Sequence, residues 1–228
     1  MVNALSPVII LRRNPFRDHS LLLDVFTRDA GKITCVAKFS KGKSTRAKGM
    51  LEPFRLLEAH WSGRGEVFSL HQAEETRRYP LKQAGLMRAV YANEILLRTL
   101  WQQQPQPELF ATYQQTLQRL CDPTEVLALP QLELAVLANA GYELNVWHDD
   151  ATGQAIEPQR IYRFLPDYGL SPDHADAKGV PLSGALLMGL REPQALSPVL
   201  QWELRQVLDH LWQMLLKGKT LFARRLLP

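Results

Sequence analysis

The sequence predicts an α+β protein, in which a small five-stranded barrel is followed by a mostly α-helical domain. Two observations support this prediction. Between residues 5 and 73, short apolar runs alternate with turn residues, which is typical of strands. From residue 80 onward, the apolar spacing becomes that of helices. The chain has 228 residues, enough for more than one domain. We therefore divide it into residues 1–78 and 79–228.

Five strand-like runs make up the first domain: residues 8–11, 20–26, 33–39 and 51–61, and a run that starts near Val67. The first run is expected to close at Arg12-Arg13 and the turn Asn14-Pro15. Five short strands with closely spaced turns fit the OB-fold, which binds oligonucleotides on one face and the adjoining loops. An SH3-like barrel has a similar strand count and remains an alternative.

Helical periodicity governs most of the second domain. A helix that starts at Pro80 should bury one stripe of large apolar residues: Leu86, Val90, Leu97 and Leu100. A second helix runs to Cys121, and a third spans about 129–140 and stops before a glycine. Residues 142–182 look irregular, with a strand only at 161–164. Ser197 and Pro198 are a typical N-cap and first turn for the last helix, which ends at Gly218.

Composition excludes several classes of protein. No apolar run is long enough to span a bilayer, and residues 1–14 do not read as a signal peptide. The chain has only two cysteines, Cys35 and Cys121, and they fall in different predicted elements, so a disulfide framework and a four-thiolate zinc site are excluded. Reduced thiols favour a cytoplasmic location.

Positive charge is concentrated in the first domain. Residues 1–78 hold 14 Lys/Arg and 8 Asp/Glu, whereas residues 79–228 hold 13 and 15. Five cations fall in one Ser/Thr/Gly-rich loop without a carboxylate: Lys38, Lys41, Lys43, Arg46 and Lys48. Together with Arg12 and Arg13, they predict contacts to a phosphate backbone, which are salt-sensitive and independent of base sequence. A solvated surface loop is the alternative.

Phe16 is the best candidate for stacking on a base, because it lies between Arg13 and Arg17 in the predicted turn. Aromatic rings beside cations hold single-stranded nucleic acid in this way. Ordinary packing of the Phe16 ring is the alternative.

No motif predicts catalysis. Gly42-Lys43-Ser44 resembles the end of a phosphate-binding loop, but the first glycine of that motif is replaced by Ala37. Asp18-His19-Ser20 are consecutive, so they cannot form a hydrolase triad. His148-Asp149-Asp150 lack a second pair of metal ligands. We therefore expect no catalytic residues, no metal and no cofactor.

Four tracts of the chain are distinctive. They are DHSLLLDVFTRDAGKITCVAKFSKGKSTRAKGMLEPFRLLEAHWSGRGEVFSLHQAE (18–74), LPQLELAVLANAGYELNVW (129–147), IYRFLPDYG (161–169) and KGKTLFARRLL (217–227). In this order they resemble the RecO family of bacterial recombination mediators, and the resemblance covers essentially the whole chain.

The resemblance implies a non-enzymatic role in DNA repair. Members bind single- and double-stranded DNA and anneal complementary strands coated with single-strand-DNA-binding protein, here called SSB. They also capture the acidic C-terminal tail of SSB and, with RecR, help to load RecA. From the residues alone, an RNA-binding OB-fold factor and a protein–protein adaptor remain alternatives.

The chain departs from the family pattern in two places. Many members carry a four-cysteine zinc site where this chain reads HDDATGQ (148–154), so zinc is not expected. Some members have basic residues that help to hold the acidic tail where this chain has Pro130 and Gln131. The substitutes that we expect are two arginines beside an apolar groove, namely Arg98 and Arg119 with Leu134 and Leu137.

Overall fold

The computed structural model describes residues 5–17, 19–39, 49–173, 178–193 and 196–227. The chain forms two compact units. The first combines residues 1–125 with 221–228, and the second comprises residues 126–220. The barrel ends at Arg78, and the next two helices belong to the same unit as the barrel.

A closed barrel forms the core of the first unit, with the strand order β1-β2-β3-β5-β4. Its strands are β1 (Ser6–Phe16), β2 (Ser20–Thr27), β3 (Gly31–Lys38), β4 (Arg55–Ser62) and β5 (Val67–Arg78). Strands β3 and β5 pair in parallel, and β1 pairs with β4 to close the barrel. This is the OB-fold, so the prediction is confirmed and the SH3-like alternative no longer applies.

The first strand is longer than the sequence suggested, because Arg12 to Phe16 continue β1 instead of forming a turn. An extra residue, Leu11, forms a β-bulge between Ile10 and Arg12. Beyond Ile9, the strand that pairs with β1 among the described residues is β2. A proline is tolerated on such an edge, since it has no N–H to donate to a ladder.

Two helices, α1 (Gln83–Thr99) and α2 (Pro107–Arg119), pack on the outside of the barrel. The amide of Asn93 donates to the carbonyl oxygen of the bulged Leu11 over 2.8 Å, and the hydroxyl of Tyr113 donates to the Asn93 side-chain oxygen. Phe26 from β2 meets Phe110 edge to face, with 5.2 Å between ring centroids. The carbonyl group at the bulge therefore accepts the hydrogen bond that fixes α1, and through Asn93 also α2, in position on the barrel.

The predicted inner face of α1 is wrong at two positions, since Leu86 and Val90 are exposed. The helix begins at Gln83, three residues after Pro80. Its buried positions include the small residues Gly85, Ala89 and Ala92. A Cβ atom at Gly85 would lie 2.2 Å from the Leu120 carbonyl oxygen, so the helix backbone lies close to its neighbour there. Large residues alone were a poor guide to this face.

A 3-10 helix, Phe222–Leu226, returns the end of the chain to the first unit. Its backbone N–H groups at Phe222 and Ala223 donate to the carboxylate of Glu94 in α1, over 3.0 and 2.7 Å. Leu221 and Ala223 are buried there.

The second unit contains helices and a small sheet. The helices are α3 (Ala128–Asn139), α4 (Gly184–Gly189) and α5 (Pro198–Leu215). The sheet has the order β7-β6-β8, with β6 (Ile161–Leu165), β7 (Gly169–Pro172) and β8 (Val180–Ser183). Of these strands, only β6 was predicted. Each of the other two has four residues and contains a proline, so neither shows a strand period.

A buried ion pair joins α3 to α5. Glu133 is fully buried, and both of its oxygens accept from the guanidinium of Arg205, at 2.7 and 3.0 Å. The indole N–H of Trp212 donates to the same carboxylate over 2.8 Å. The predicted cap of α5 is confirmed, since the Ser197 hydroxyl accepts from the N–H of Leu200.

Candidate nucleic-acid interface

The registers of β1, β2 and β3 define an outward-facing surface, which we call the barrel face. Residues paired across neighbouring strands point to the same side of a sheet. Three rows cross this face: Phe16–Ser20–Lys38, Asn14–Leu22–Val36 and Arg12–Asp24–Thr34.

The centre of the barrel face is apolar. Leu22 and Val36 are half-buried neighbours in the middle row. Val67 of β5 is exposed and pairs with Thr34 of β3. The opposite sides of β2 and β3 fill the barrel core, including Leu23. The face formed by strands 2 and 3 is the one on which OB-folds bind oligonucleotides.

Phe16 ends β1 at one edge of the face, and its ring is half-buried. The Arg17 guanidinium lies 5.1 Å from the ring centroid, close enough for a cation–π contact. Arg17 adopts a left-handed backbone conformation, with φ of +51°, in the β1–β2 turn. The structure thus brings an aromatic ring and an exposed cation together, as the stacking prediction requires.

The basic loop starts at the same edge. Lys38 is exposed at the end of β3, in the row of Phe16. The N–H of Phe39 donates to the carbonyl of His19 over 2.8 Å, which fixes the start of the loop to the β1–β2 turn. The other predicted phosphate contacts, Lys41, Lys43, Arg46 and Lys48, lie outside the described residues.

Arg12 lies on the barrel face, but it is paired with a carboxylate. Its guanidinium contacts Asp24 at 2.7 Å, and the Thr34 hydroxyl donates to the other Asp24 oxygen over 3.1 Å. The Arg12 side chain is 58% exposed and that of Asp24 only 12%. Asp24 therefore offsets part of the positive charge that Arg12 brings to the face.

Arg13 occupies the opposite side of β1, in the row of the core residue Leu23. Its guanidinium forms an ion pair with Glu52 and donates to the Leu51 carbonyl over 3.4 Å. Arg13 thus helps to hold the return of the basic loop onto the barrel, a structural role that its sequence neighbours did not suggest.

The β4–β5 turn borders the far edge of the face and contains the exposed Arg64 between two glycines. Sequence reasoning did not single out Arg64, Leu22, Val36 and Val67, which the structure brings to this face and its edge. Alternation along β2 and β3 was a signal for the apolar pair. A basic residue in a Gly-flanked turn was the signal for Arg64, because the β4–β5 loop of an OB-fold contributes to binding.

The four residues expected to hold an acidic tail are divided between the two units. Arg98 and Arg119 belong to the first unit, and Leu134 and Leu137 belong to the second. Arg119 pairs with Glu125 at 2.9 Å, and Arg98 pairs with a neighbouring glutamate of α1. Leu137 is fully buried, so its side chain belongs to the hydrophobic core and offers no surface to a peptide.

Burial shifts the pKa of two groups near the face. It lowers the pKa of the Lys32 ammonium, although the charge of Asp24 partly offsets this effect. The Lys32 Nζ donates to the Leu97 carbonyl over 2.9 Å, at the end of α1. Inside the barrel, burial raises the pKa of the Cys35 thiol from 9.0 to about 12.

Within the described parts of the chain, no group of three or more His, Cys, Asp or Glu side chains could hold a metal ion. No helix in those parts combines the length and the apolar character needed to cross a membrane.

Comparison with known families agrees with this geometry. Residues 1–79 match the model of the "Recombination protein O N terminal" family, and residues 84–213 match that of the "Recombination protein O C terminal" family. The chain belongs to the RecO family. The resemblance read from the sequence is confirmed, and with it a role in DNA repair and recombination.

Individual RecO proteins are similar along most of the chain. "DNA repair protein RecO" of Nitrosospira multiformis is 32% identical over 226 residues, which cover 97% of this chain and 93% of that protein. The protein of the same name from Actinobacillus succinogenes is 32% identical, with 96% and 94% covered. That of Vibrio parahaemolyticus is 38% identical over 163 residues, with 70% and 67% covered.

Proposed function

We propose that this RecO-family chain is a non-enzymatic recombination mediator that binds single- and double-stranded DNA through the barrel face and the basic loop. One observation carries the proposal. Phe16, Arg17 and Lys38 lie close together at the edge where the cationic loop leaves the barrel, which supports the proposal. An aromatic ring, an apolar platform and several cations suit a flexible polyanion with stackable bases.

The mechanism is neutralisation of charge. Cations that contact phosphates release condensed counterions, and two strands that repel each other can then approach. Annealing of SSB-coated complementary strands follows from this effect. No bond is made or broken, and no nucleotide is hydrolysed. Together with RecR, the chain would help to load RecA on DNA in the cytoplasm, at the nucleoid.

Tethering to coated DNA would use the acidic tail of SSB. Arg119 and Arg98 are the proposed cationic contacts. Leu134, which is half-buried in the second unit, is the proposed apolar contact. Each arginine already has a carboxylate partner, so the tail would compete with an existing ion pair. We therefore expect this contact to be weak and to depend on salt.

The test is a salt series of DNA affinity, measured by fluorescence anisotropy on a single-stranded oligonucleotide. Replacing Lys41, Lys43 and Arg46 together by alanine should flatten the slope of log K against log [salt] by about 2, since each phosphate contact contributes roughly 0.7. RNA of equal length should compete less well than DNA. Annealing of SSB-coated strands should slow in parallel.

A matched control removes the same charge elsewhere. Lys82, Arg160 and Lys178 are exposed and lie away from the barrel face in sequence. Their triple alanine variant should keep the slope of the unmodified protein. If both triple variants show the same slope, the basic loop does not contact the phosphates of DNA.

A further inference from the structure

Phe222 is a large aromatic side chain that remains exposed on the first unit. It opens the C-terminal 3-10 helix and is 65% exposed, although Leu221 and Ala223 on either side are buried. The buried neighbours anchor the backbone, and the ring faces solvent. Burial of the ring in this unit therefore does not explain its presence.

The ring is held in place by α1. The Glu94 carboxylate accepts from the N–H of Phe222, which fixes the backbone that carries the ring. The Arg98 guanidinium lies 5.9 Å from the ring centroid and also pairs with Glu94 at 3.3 Å. Phe222 and Arg98 thus repeat the pairing of aromatic ring and cation seen at Phe16 and Arg17.

The surrounding sequence is cationic. Residues 217–228 contain no Asp or Glu and four basic residues: Lys217, Lys219, Arg224 and Arg225. Arg225, three positions after Phe222, is exposed. A rigid aromatic ring within a cationic segment complements a polyanion that has stackable bases.

A chain of contacts connects this site to the barrel face. Lys32 at the start of β3 donates to the Leu97 carbonyl, one residue before Arg98. The Lys32 carbonyl accepts from the N–H of Gln103 over 2.8 Å, close to Trp101, which is 73% exposed.

The β4–β5 turn joins the same chain of contacts. The Gln103 amide donates to the Gly65 carbonyl over 3.0 Å, next to Arg64. The far edge of the barrel face thus adjoins the end of α1.

We infer that a single strand bound on the barrel face continues past the β4–β5 turn and Trp101 to a second stacking point on Phe222. From Lys38 to Lys32, β3 covers about 20 Å at roughly 3.3 Å per residue. A strand must therefore exceed that length before it reaches the second point. The inference rests on the proposed function and adds the path of the strand.

The experiment compares oligo(dT) of about four nucleotides, which is too short to pass the barrel face, with oligo(dT) of about thirty, since one OB-fold occupies roughly 4–16 nucleotides. Phe222→Ala should leave the affinity for the short strand unchanged and reduce that for the long strand by about fivefold or more, as expected for one lost stacked base. Because the ring is mostly exposed, the variant should fold normally.

Two further variants identify the interaction. Phe222→Trp should keep the affinity for the long strand, whereas Phe222→Leu should lose it, because leucine is apolar but has no ring. Trp202→Ala removes an exposed aromatic from the second unit and should change neither affinity.

The possible outcomes separate the two proposals. Failure of the unmodified protein to bind either strand would overturn the proposed function and this inference together. Normal binding with no effect of Phe222→Ala on the long strand would overturn only the inference. The inference would also be overturned if Phe222→Ala lost affinity for both strands, or if Trp202→Ala lost as much affinity as Phe222→Ala. It would be overturned as well if Phe222→Leu kept its affinity for the long strand, a result that would instead favour docking of a protein.

Discussion

Replacing Asp24 by asparagine should strengthen DNA binding. Asp24 is the carboxylate on the barrel face, and it pairs with Arg12 at 2.7 Å. Asparagine has nearly the same size and keeps an oxygen that can accept from the Thr34 hydroxyl. The change therefore removes a negative charge from the face and releases one guanidinium for a phosphate.

The expected magnitude follows from counterion release. One added cationic contact steepens the slope of log K against log [salt] by roughly 0.7 for a single strand. When the salt concentration is lowered fourfold, the DNA affinity of the variant should therefore rise about 2.5-fold more than that of the unmodified protein. The stability cost should be small. Arg12 is 58% exposed, and ion pairs exposed to this degree contribute about 0–1 kcal/mol.

Fluorescence anisotropy across a salt series measures the slope, and urea unfolding measures the stability. Thr34→Val is the matched control, because it removes the hydrogen bond to Asp24 and leaves both charges. Its slope should equal that of the unmodified protein. If Asp24→Asn binds DNA more weakly, or with an unchanged slope in a folded protein, then Arg12 does not face the phosphates and the reasoning fails.

Two other predictions concern the acidic tail and pH. Arg119→Gln should weaken binding of a peptide with the acidic SSB tail several-fold, as measured by isothermal titration calorimetry. The control Lys82→Gln should bind the peptide normally. Equal affinities for the two variants would exclude Arg119 from the tail site. The pKa of Cys35 rises from 9.0 to about 12 on folding, so the unfolded chain loses this proton first and stability falls as pH rises above 9. Between pH 8 and 10, the free energy of unfolding in urea should fall by about 1.4 kcal/mol more in the unmodified protein than in Cys35→Ala. An identical fall in both proteins would contradict a buried Cys35 thiol.

The barrel was predictable because its strands carry a local signal. Alternation along β3 placed Ile33, Cys35 and Ala37 on one face, and all three fill the core. The extent of β1 was not predictable. Arg12 to Phe16 contain a proline and polar residues, and they are extended because β2 offers a partner for each of them.

Helix positions were easier to predict than helix faces. The cap at Ser197 depends on adjacent residues alone, and it was found. The face of α1 depends on how closely its backbone approaches its neighbours, which selected Ala89 and Ala92 over Leu86 and Val90. Sequence spacing does not report that distance.

For the site, residue type and clustering pointed to the loop cations and to Phe16, since charge density and aromatic character are properties of the residues themselves. The sequence does not show which of the predicted cations already pair with a carboxylate. Arg12 and Arg13 are neighbours in sequence, yet one lies on the barrel face beside Asp24 and the other holds the loop return through Glu52.

From the amino-acid sequence alone came the family, the barrel and the cationic character of its first third, because each is encoded in local patterns of residues. Only the tertiary structure decided the order of the strands, the apolar centre of the barrel face and the route from Lys32 to Phe222. These features depend on contacts between residues far apart in the chain, such as Lys32 with Leu97 and Glu94 with Phe222. No local pattern encodes such contacts, since they form when distant elements pack together.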